Sequence, residues 1–184
     1  MPGRAYNLLF EVAADQYGYV TTEDARELGL WPGHLADLAR RGQADRVAQG
    51  VYRIRAVPES ALDQLMEATL WPRGLGVISH DTALDLLELC DVNPVKVHVT
   101  VPASARIRRR RPPAFAVHER DLDPDDVTRV EGIPVVTVRR AILDGIERHL
   151  GGHLIDQAID RGRRTGQLTR AQLAEIARAR ALAS

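Results

Sequence analysis

The feature that most constrains this fold is a short arginine-marked segment at residues 43–54. Strand-forming residues flank Gln49 and Gly50 within it, and glycine tolerates the positive φ that a tight hairpin turn often needs. Three helix-like segments precede this hairpin, and a tight turn separates the second from the third. The order of helix, helix, turn, helix and β-wing predicts a winged helix-turn-helix domain over residues 1–57.

The predicted helices have recognisable patterns. Residues 6–17 carry apolar side chains at helical spacing. Thr21 followed three residues later by Asp24 is a capping-box pattern for the second helix, and Thr169 with Gln172 repeats that pattern before the last helix. The inward stripe of the third helix is Leu35, Leu38 and Ala39.

Pro58 begins a segment with a different pattern, and we expect a second domain over residues 58–184. Residues 95–101 alternate strictly between apolar and polar side chains, as a half-buried strand does. Residues 114–118 and 133–138 are further strand candidates, and helical patterns fill most of the remainder. The expected fold class is α+β: an N-terminal winged helix-turn-helix followed by a small mixed α/β domain with a helical C-terminus.

Charge is distributed unevenly along the chain, although its formal net charge is zero. A neutral total argues against nucleic-acid binding, because binders usually carry a basic excess. Residues 32–57, however, contain five arginines and only two aspartates, whereas the first two predicted helices are rich in acid. A neutral chain with this distribution can present one positive face.

In a winged helix-turn-helix the third helix enters the major groove, and the outward residues near its N-terminus meet base edges. The hairpin reaches flanking phosphates or the minor groove. The base-proximal candidates are Gly33, His34 and Asp37, and the phosphate-proximal candidates are Arg40 and Arg41. The candidates on the wing are Arg46, Gln49 and Arg53. The alternative is a winged helix used only for protein contacts.

A second basic run lies between two predicted strands of the second domain. Its members are Arg106, Arg108, Arg109, Arg110 and Arg111. Three interpretations stay open: a solvated loop without a function, a second phosphate-binding surface, or a docking site for an acidic patch on a partner protein.

Residues typical of catalytic and metal centres occur, but not in the patterns that those centres need. Ser79, His80 and Asp81 are triad residue types, yet consecutive side chains diverge, so Ser79 or Asp81 is interpreted as a helix cap. His98 and His118 are interpreted as strand histidines, because no second ligand pair accompanies them. We therefore expect no enzyme activity, no catalytic residue, no metal site and no cofactor.

Cys90 is the only cysteine, which excludes an intrachain disulfide framework and a cysteine metal cluster. No segment has the pattern of a signal peptide or of an uninterrupted membrane span. A cytoplasmic protein without a membrane partner is expected.

A series of different short motifs extends along most of the chain, and the order of the motifs is more specific than any one of them. Those of the N-terminal part lie at residues 18–25, 38–42 and 46–53, and those of the second part at residues 78–84, 97–102, 117–118 and 132–144. In this succession the chain resembles the AbiEi-type antitoxin family, the transcription-regulating antitoxins of bacterial type IV toxin–antitoxin operons, including the mycobacterial members.

The resemblance implies a bifunctional protein without enzyme activity. Its winged helix-turn-helix would bind inverted repeats in double-stranded operator DNA and repress its own operon. It would do so either as a dimer or as one protein on each arm of the repeat, with a spacing near one helical turn, about 34 Å. Its second domain would counter a cognate nucleotidyltransferase-like toxin, directly or indirectly.

The family's basic DNA-contact positions fall on Arg40, Arg41, Arg46 and Arg53, and the run at residues 106–111 would supply a positive patch of the second domain. The chain departs from the family at residues 31–34, where members often carry a small polar residue. The operator sequence is therefore not implied.

Two other functions stay open. One is a winged-helix transcriptional repressor whose second domain senses a ligand or mediates dimerisation, without an antitoxin role. The other is a DNA-processing nuclease, which would need convergent carboxylates and a metal ion. The predicted strands near Val95 and Ile133 show no such cluster.

Overall fold

The computed structural model describes residues 3–105, 107 and 111–183. The chain divides into two compact units, one ending at Gly74 and the other beginning at Leu75. The first unit thus extends beyond the predicted segment of residues 1–57. Where a DNA-binding segment itself ends stays a prediction.

The described residues of the first unit form four helices: α1 (Arg4–Asp15), α2 (Thr22–Glu27), α3 (Gly33–Arg40) and α4 (Asp63–Leu70). The capping box of α2 is confirmed, because the Asp24 backbone N–H donates to Thr21 Oγ1 over 3.1 Å and the Thr21 backbone N–H donates to Asp24 Oδ2 over 2.7 Å. These two bonds satisfy N–H groups that a helix start leaves without a partner.

The hairpin is confirmed as β2 (Ala44–Ala48) and β3 (Val51–Ile54). A third strand that the sequence did not predict, β1 (Tyr19–Thr21), pairs with the other edge of β3, so the antiparallel order is β1-β3-β2. Gly50 in the turn has a φ of +73°, and a Cβ there would lie 2.8 Å from Thr22 Oγ1. The turn is therefore packed against the start of α2, where the Thr22 N–H donates to the Gly50 carbonyl oxygen over 2.9 Å.

The core of the first unit lies between its helices and this sheet. Leu35 and Leu38 of α3 are buried as predicted, and Ala39 is half-buried. Burial of one leucine side chain contributes about 1.5–3 kcal/mol. The other buried residues of this core are Leu9, Ala13, Val20, Ala25, Ala44, Tyr52, Ile54 and Val57.

Helix α4 is tied to the sheet by two polar contacts. Tyr19 Oη of β1 donates to Glu67 Oε2 over 3.0 Å. Arg53 Nη2 of β3 donates to Asp63 Oδ2 over 2.9 Å. These contacts explain why α4 belongs to the same compact unit as the hairpin.

The second unit is built on a five-stranded mixed sheet of order β6-β5-β4-β8-β7. Its strands are β4 (Val77–Ile78), β5 (Val97–Val101), β6 (Phe115–Glu119), β7 (Val127–Val130) and β8 (Ile133–Val136). The three predicted strands are confirmed as β5, β6 and β8, whereas β4 and β7 were not predicted. The pairs β5–β6 and β4–β8 are parallel, and β4–β5 and β7–β8 are antiparallel.

Four α-helices and one short 3₁₀ helix (Pro124–Asp126) complete this unit in the described part of the chain. The α-helices are α5 (His80–Leu86), α6 (Val138–Glu147), α7 (Gly152–Arg164) and α8 (Arg170–Ala183). The capping box before α8 is confirmed by the reciprocal bonds of Thr169 and Gln172. The mixed α/β architecture agrees with the expected fold class. Among the described residues, no helix is both long and apolar enough to cross a bilayer.

Strand β5 is buried at every position, although its alternating sequence predicted a half-buried strand. The reason is that its polar side chains have hydrogen-bonding partners inside the protein. Thr100 Oγ1 donates to Ser79 Oγ over 2.8 Å, and His98 Nδ1 lies 3.1 Å from His118 Nε2. The polar face of β5 therefore belongs to a buried polar network rather than to solvent.

Candidate functional site

The N-terminus of α3 is shaped by an exposed indole. The Trp31 side chain is 65% exposed, and its ring contacts the His34 ring edge-on at 5.8 Å. A Cβ on Gly33 would lie only 2.3 Å from the Trp31 ring, so glycine is required there while the indole keeps this position. Gly33 and His34 thus lie at the start of α3, as predicted, whereas Trp31 was not among the predicted site residues.

Asp37 and Arg40 form an ion pair one turn apart on the outer face of α3. The Arg40 side chain remains 79% exposed, so the pair neutralises Asp37 without burying the guanidinium. Arg41 follows at the C-cap of α3 and is exposed. Among the described residues, Arg41 has no ion-pair partner, which leaves its charge available to a ligand.

The hairpin presents Arg46 and Gln49 to solvent. Arg46 lies opposite Tyr52 in the hairpin register and, within the described part of the chain, has no ion-pair partner. Asp45 is neutralised by Arg55, whose Nε and Nη2 donate to the two carboxylate oxygens over 2.8 and 2.6 Å. The hydrogen bond from Arg55 holds the pKa of Asp45 below its ordinary value.

Arg53 is placed differently from the other candidates on the hairpin. Its side chain is only 16% exposed and forms the ion pair with Asp63 of α4. The same Nη2 also lies within hydrogen-bond distance of the carbonyl oxygens of Val57 and Pro58. A DNA contact by Arg53 stays a prediction, and this inward placement disfavours it.

The second basic run falls mostly outside the described residues, which include only its last member. Arg111 is exposed in the loop before β6. The predicted positions outside the described residues are Arg106, Arg108, Arg109 and Arg110. The three interpretations of this run stay as they were.

The second unit contains a histidine cluster that the sequence did not predict. His80 at the start of α5, His98 in β5 and His118 in β6 place one potential ligand atom each within 4.8 Å of the others. Ser79 occupies the N-cap position of α5, but its hydroxyl contacts His80 and Thr100 instead of a helix N–H. The cap interpretation was therefore right about position and wrong about the hydrogen bond.

Burial depresses the pKa of all three histidines. The pKa of His80 falls to about 2 and that of His118 to about 4, and in both cases burial is the largest cause and the neighbouring histidines add to it. The pKa of His98 is also lowered, mainly by burial. At neutral pH the cluster therefore consists of uncharged imidazoles.

Comparison with protein families gives a match to the family described as "Transcriptional regulator, AbiEi antitoxin" over residues 7–55. The AbiEi resemblance is confirmed for this segment. It is the segment that contains most of α1, all of α2 and α3, and the hairpin. The AbiEi family is one of transcriptional regulators and antitoxins, so the finding agrees with a regulatory, DNA-binding protein.

Comparison with curated proteins gives no match. Among solved structures, the chain is similar to the crystal structure of the RV2827C protein from Mycobacterium tuberculosis, with a TM-score of 0.54 and 13% identity. The similarity covers 96% of this chain and 72% of that chain. At this identity it shows a shared fold, and it does so for parts beyond the AbiEi segment.

Proposed function

We propose that this protein is an antitoxin that represses its own operon. A winged helix-turn-helix in residues 1–57 binds inverted repeats in the operator, and the second unit acts against a cognate nucleotidyltransferase-like toxin. The observation that supports this most is the AbiEi match over residues 7–55. That segment exposes Arg40, Arg41 and Arg46 at α3 and the hairpin.

In this proposal α3 is the recognition helix. Leu35 and Leu38 anchor one face of α3 in the core, so the opposite face is free to enter the major groove. Its leading end carries His34 and the exposed indole of Trp31, which offer a hydrogen-bonding and an apolar surface to base edges.

The Asp37–Arg40 ion pair fits an interface with DNA. An unpaired carboxylate beside phosphates would be repelled, whereas the pair cancels that charge. Asp37 can then accept a hydrogen bond from a cytosine amino group. Arg40 keeps donors for a phosphate, because guanidinium has five N–H groups and this one is largely exposed.

Arg41 and Arg46 supply the sequence-independent part of the affinity. Each is exposed, and each lacks an ion-pair partner among the described residues. A phosphate contact by either one would release a condensed counterion from the DNA. Gln49 beside them can donate to a phosphate oxygen without adding charge.

The DNA-binding part is tested by fluorescence anisotropy on the DNA upstream of the protein's own gene, measured at several salt concentrations. Changing both Arg41→Ala and Arg46→Ala should weaken binding to all sequences and flatten the salt slope by about 2. Arg26→Ala is the matched control, because Arg26 is an exposed arginine on α2 that is already paired with Glu23. An unchanged slope in the double variant would remove both arginines from the interface.

The antitoxin part is tested by growth in cells that express a neighbouring nucleotidyltransferase-like gene. The intact chain should relieve the growth arrest. The Arg41→Ala and Arg46→Ala double variant should bind the operator more weakly but keep the relief, if neutralisation resides in the second unit. Failure of the intact chain to relieve arrest, with operator binding intact, would leave a winged-helix repressor with a ligand-sensing or dimerisation domain.

A further inference from the structure

The topology of the second unit assembles the histidine cluster from three elements. In the parallel pair β5–β6, His118 lies opposite Thr100, which is two residues after His98 in β5. His98 and His118 therefore lie on the same face of the sheet. Thr82 Oγ1 of α5 accepts from the His98 backbone N–H over 2.9 Å and donates to the Lys96 carbonyl oxygen over 3.2 Å. These two bonds hold the start of α5, and with it His80, against β5.

The nitrogen atoms have a spacing that suits a single metal ion. His98 Nδ1 and His118 Nε2 are 3.1 Å apart, and the three ligand atoms lie within 4.8 Å of one another. Two imidazole nitrogens on one tetrahedral zinc ion, at the usual bond length, are separated by about 3.3 Å. The His98–His118 pair is therefore already close to the required spacing, and the His80 nitrogen lies within 4.8 Å of both.

The groups around the cluster resemble the outer shell of a metal site. His80 Nδ1 lies 2.8 Å from Ser79 Oγ, which can accept the Nδ1 proton, and the Asp144 carboxylate follows at 3.7 Å. That tautomer leaves the His80 lone pair on Nε2. Metal-bound histidines commonly donate their second ring N–H to an oxygen in this way.

An unpaired carboxylate oxygen near the cluster is a second observation that favours a bound cation. Asp81 Oδ1 is buried and has no hydrogen-bond partner in the described part of the chain. Its charge acts on both His98 and His118, where it favours the protonated ring. A buried carboxylate oxygen without a hydrogen bond costs free energy, which a nearby divalent ion would offset.

Two features oppose metal binding and set its requirements. The His80 and His118 rings are stacked at 3.6 Å, whereas their lone pairs must converge in the planes of the rings. The half-buried His118 ring must therefore turn about its Cβ–Cγ bond, a torsion with a broad energy minimum. The charges of Arg148 and Arg120 also disfavour a cation here, although Arg120 is paired with Asp144 and Glu147.

We propose that His80, His98 and His118 bind one divalent transition-metal ion of the zinc class, with a fourth coordination position open to water. Neutral imidazoles bind zinc, nickel and copper well, whereas magnesium and calcium prefer oxygen ligands. The ion joins the start of α5 to β5 and β6. It is therefore a structural clamp on the second unit, and it is independent of whether the first unit binds an operator.

The test uses the full chain, freed of metal with a chelator and titrated with Zn²⁺ by calorimetry and with Co²⁺ by visible absorption. We expect one ion per chain, intense Co²⁺ bands typical of tetrahedral coordination, and a thermal midpoint raised by about 4 °C or more with excess Zn²⁺. His118→Gln should weaken binding at least tenfold and abolish the Co²⁺ bands. His153→Gln, at an exposed position on α7, is the matched control and should bind as the unchanged chain does.

If His118→Gln does not fold, His98→Gln removes a different ligand and takes its place. The unchanged chain provides a further measurement that needs no variant. Ring ¹⁵N resonances of the unchanged chain should identify His80, His98 and His118 as the residues whose nitrogens shift with Zn²⁺. The proposal is overturned if no saturable one-to-one binding occurs. It is equally overturned if folded His118→Gln or His98→Gln binds as tightly as the unchanged chain.

Discussion

The hairpin of the first unit and the histidine cluster of the second differ in where their polar side chains lie: on the surface in the hairpin, and mostly inside the protein in the cluster. Arg46 on the hairpin is exposed and lacks an ion-pair partner in the described part of the chain. It needs none, because water solvates its charge. His80 and His98 are buried, so they are uncharged and have hydrogen-bond partners. Removing a surface charge should change the free energy of unfolding little. Removing a buried polar group should change it more, because its hydrogen-bond partners are left unsatisfied.

The largest effect on stability is expected at Asp144, which is 1% exposed in α6. Arg120 Nη1 and Arg140 Nε both donate to its Oδ1, over 2.8 and 2.9 Å. Burial raises the pKa of Asp144 even though both arginines act to lower it. Asp144→Ala leaves Arg140 with one buried partner fewer, and we expect a loss of about 3 kcal/mol in the free energy of unfolding.

Glu147→Ala is the control for Asp144→Ala, since Glu147 pairs with the same two arginines but is 49% exposed. We expect it to cost about 1 kcal/mol or less. Urea unfolding followed by far-UV circular dichroism measures both variants. Equal losses would mean that burial does not decide the effect, and the contrast between the two regions would fail.

How far the sequence predicted each region follows from how local its signals are. The capping box of Thr21 and Asp24 and the turn at Gly50 are each defined by a few neighbouring residues, and both are confirmed. Strand β1 has three residues, which is too short to show an alternating pattern. The histidine cluster depends on the pairing of β5 with β6 and on the placement of α5, which no local pattern contains.

Polarity along a strand also proved to be a poor guide to exposure. The alternation in β5 correctly indicated two faces, but His98 and Thr100 are buried because His118 and Ser79 satisfy them. In the same way, five arginines in residues 32–57 predicted one positive face. The structure exposes Arg46 and turns Arg53 inward to Asp63, a residue that lies beyond the predicted segment.

Arg53 and Arg46 give the next prediction, because both lie on the hairpin and only one is buried. Arg53→Ala leaves the carboxylate of Asp63, 15% exposed, without its ion-pair partner, and should cost about 1–3 kcal/mol in the free energy of unfolding. Arg46→Ala should change it by about 0.5 kcal/mol or less. Tryptophan fluorescence measures this in the first unit alone, since both tryptophans, Trp31 and Trp71, lie there.

Operator binding separates the two roles of these arginines. Arg46→Ala should weaken binding with stability unchanged, and Arg53→Ala should lower stability while the folded fraction still binds. If Arg53→Ala instead weakens binding and leaves unfolding unchanged, Arg53 contacts DNA as the sequence predicted. The inward pairing would then not persist in the complex.

The last effect is confined to alkaline pH and concerns Tyr19, whose hydroxyl donates to Glu67. Burial, followed by the charge and hydrogen bond of Glu67, raises the pKa of Tyr19 well above its ordinary value. Below about pH 10, the pKa of an unfolded tyrosine, both states keep the proton and this contribution to stability is fully present. As the pH rises from there towards the folded pKa, only the unfolded chain releases its proton. Stability should then fall by about 1.4 kcal/mol per pH unit.

Tyr19→Phe should remove this alkaline dependence, because phenylalanine has no proton to release. Urea unfolding followed by tryptophan fluorescence between about pH 9 and pH 11 should give a shallower decline for this variant than for the unchanged chain. Tyr6→Phe is the control, since Tyr6 is half-buried on α1 and stacks on Phe10. Parallel declines for the unchanged chain and Tyr19→Phe would show that the hydroxyl exchanges Glu67 for water. The contact between β1 and α4 would then be no more buried than the hairpin surface.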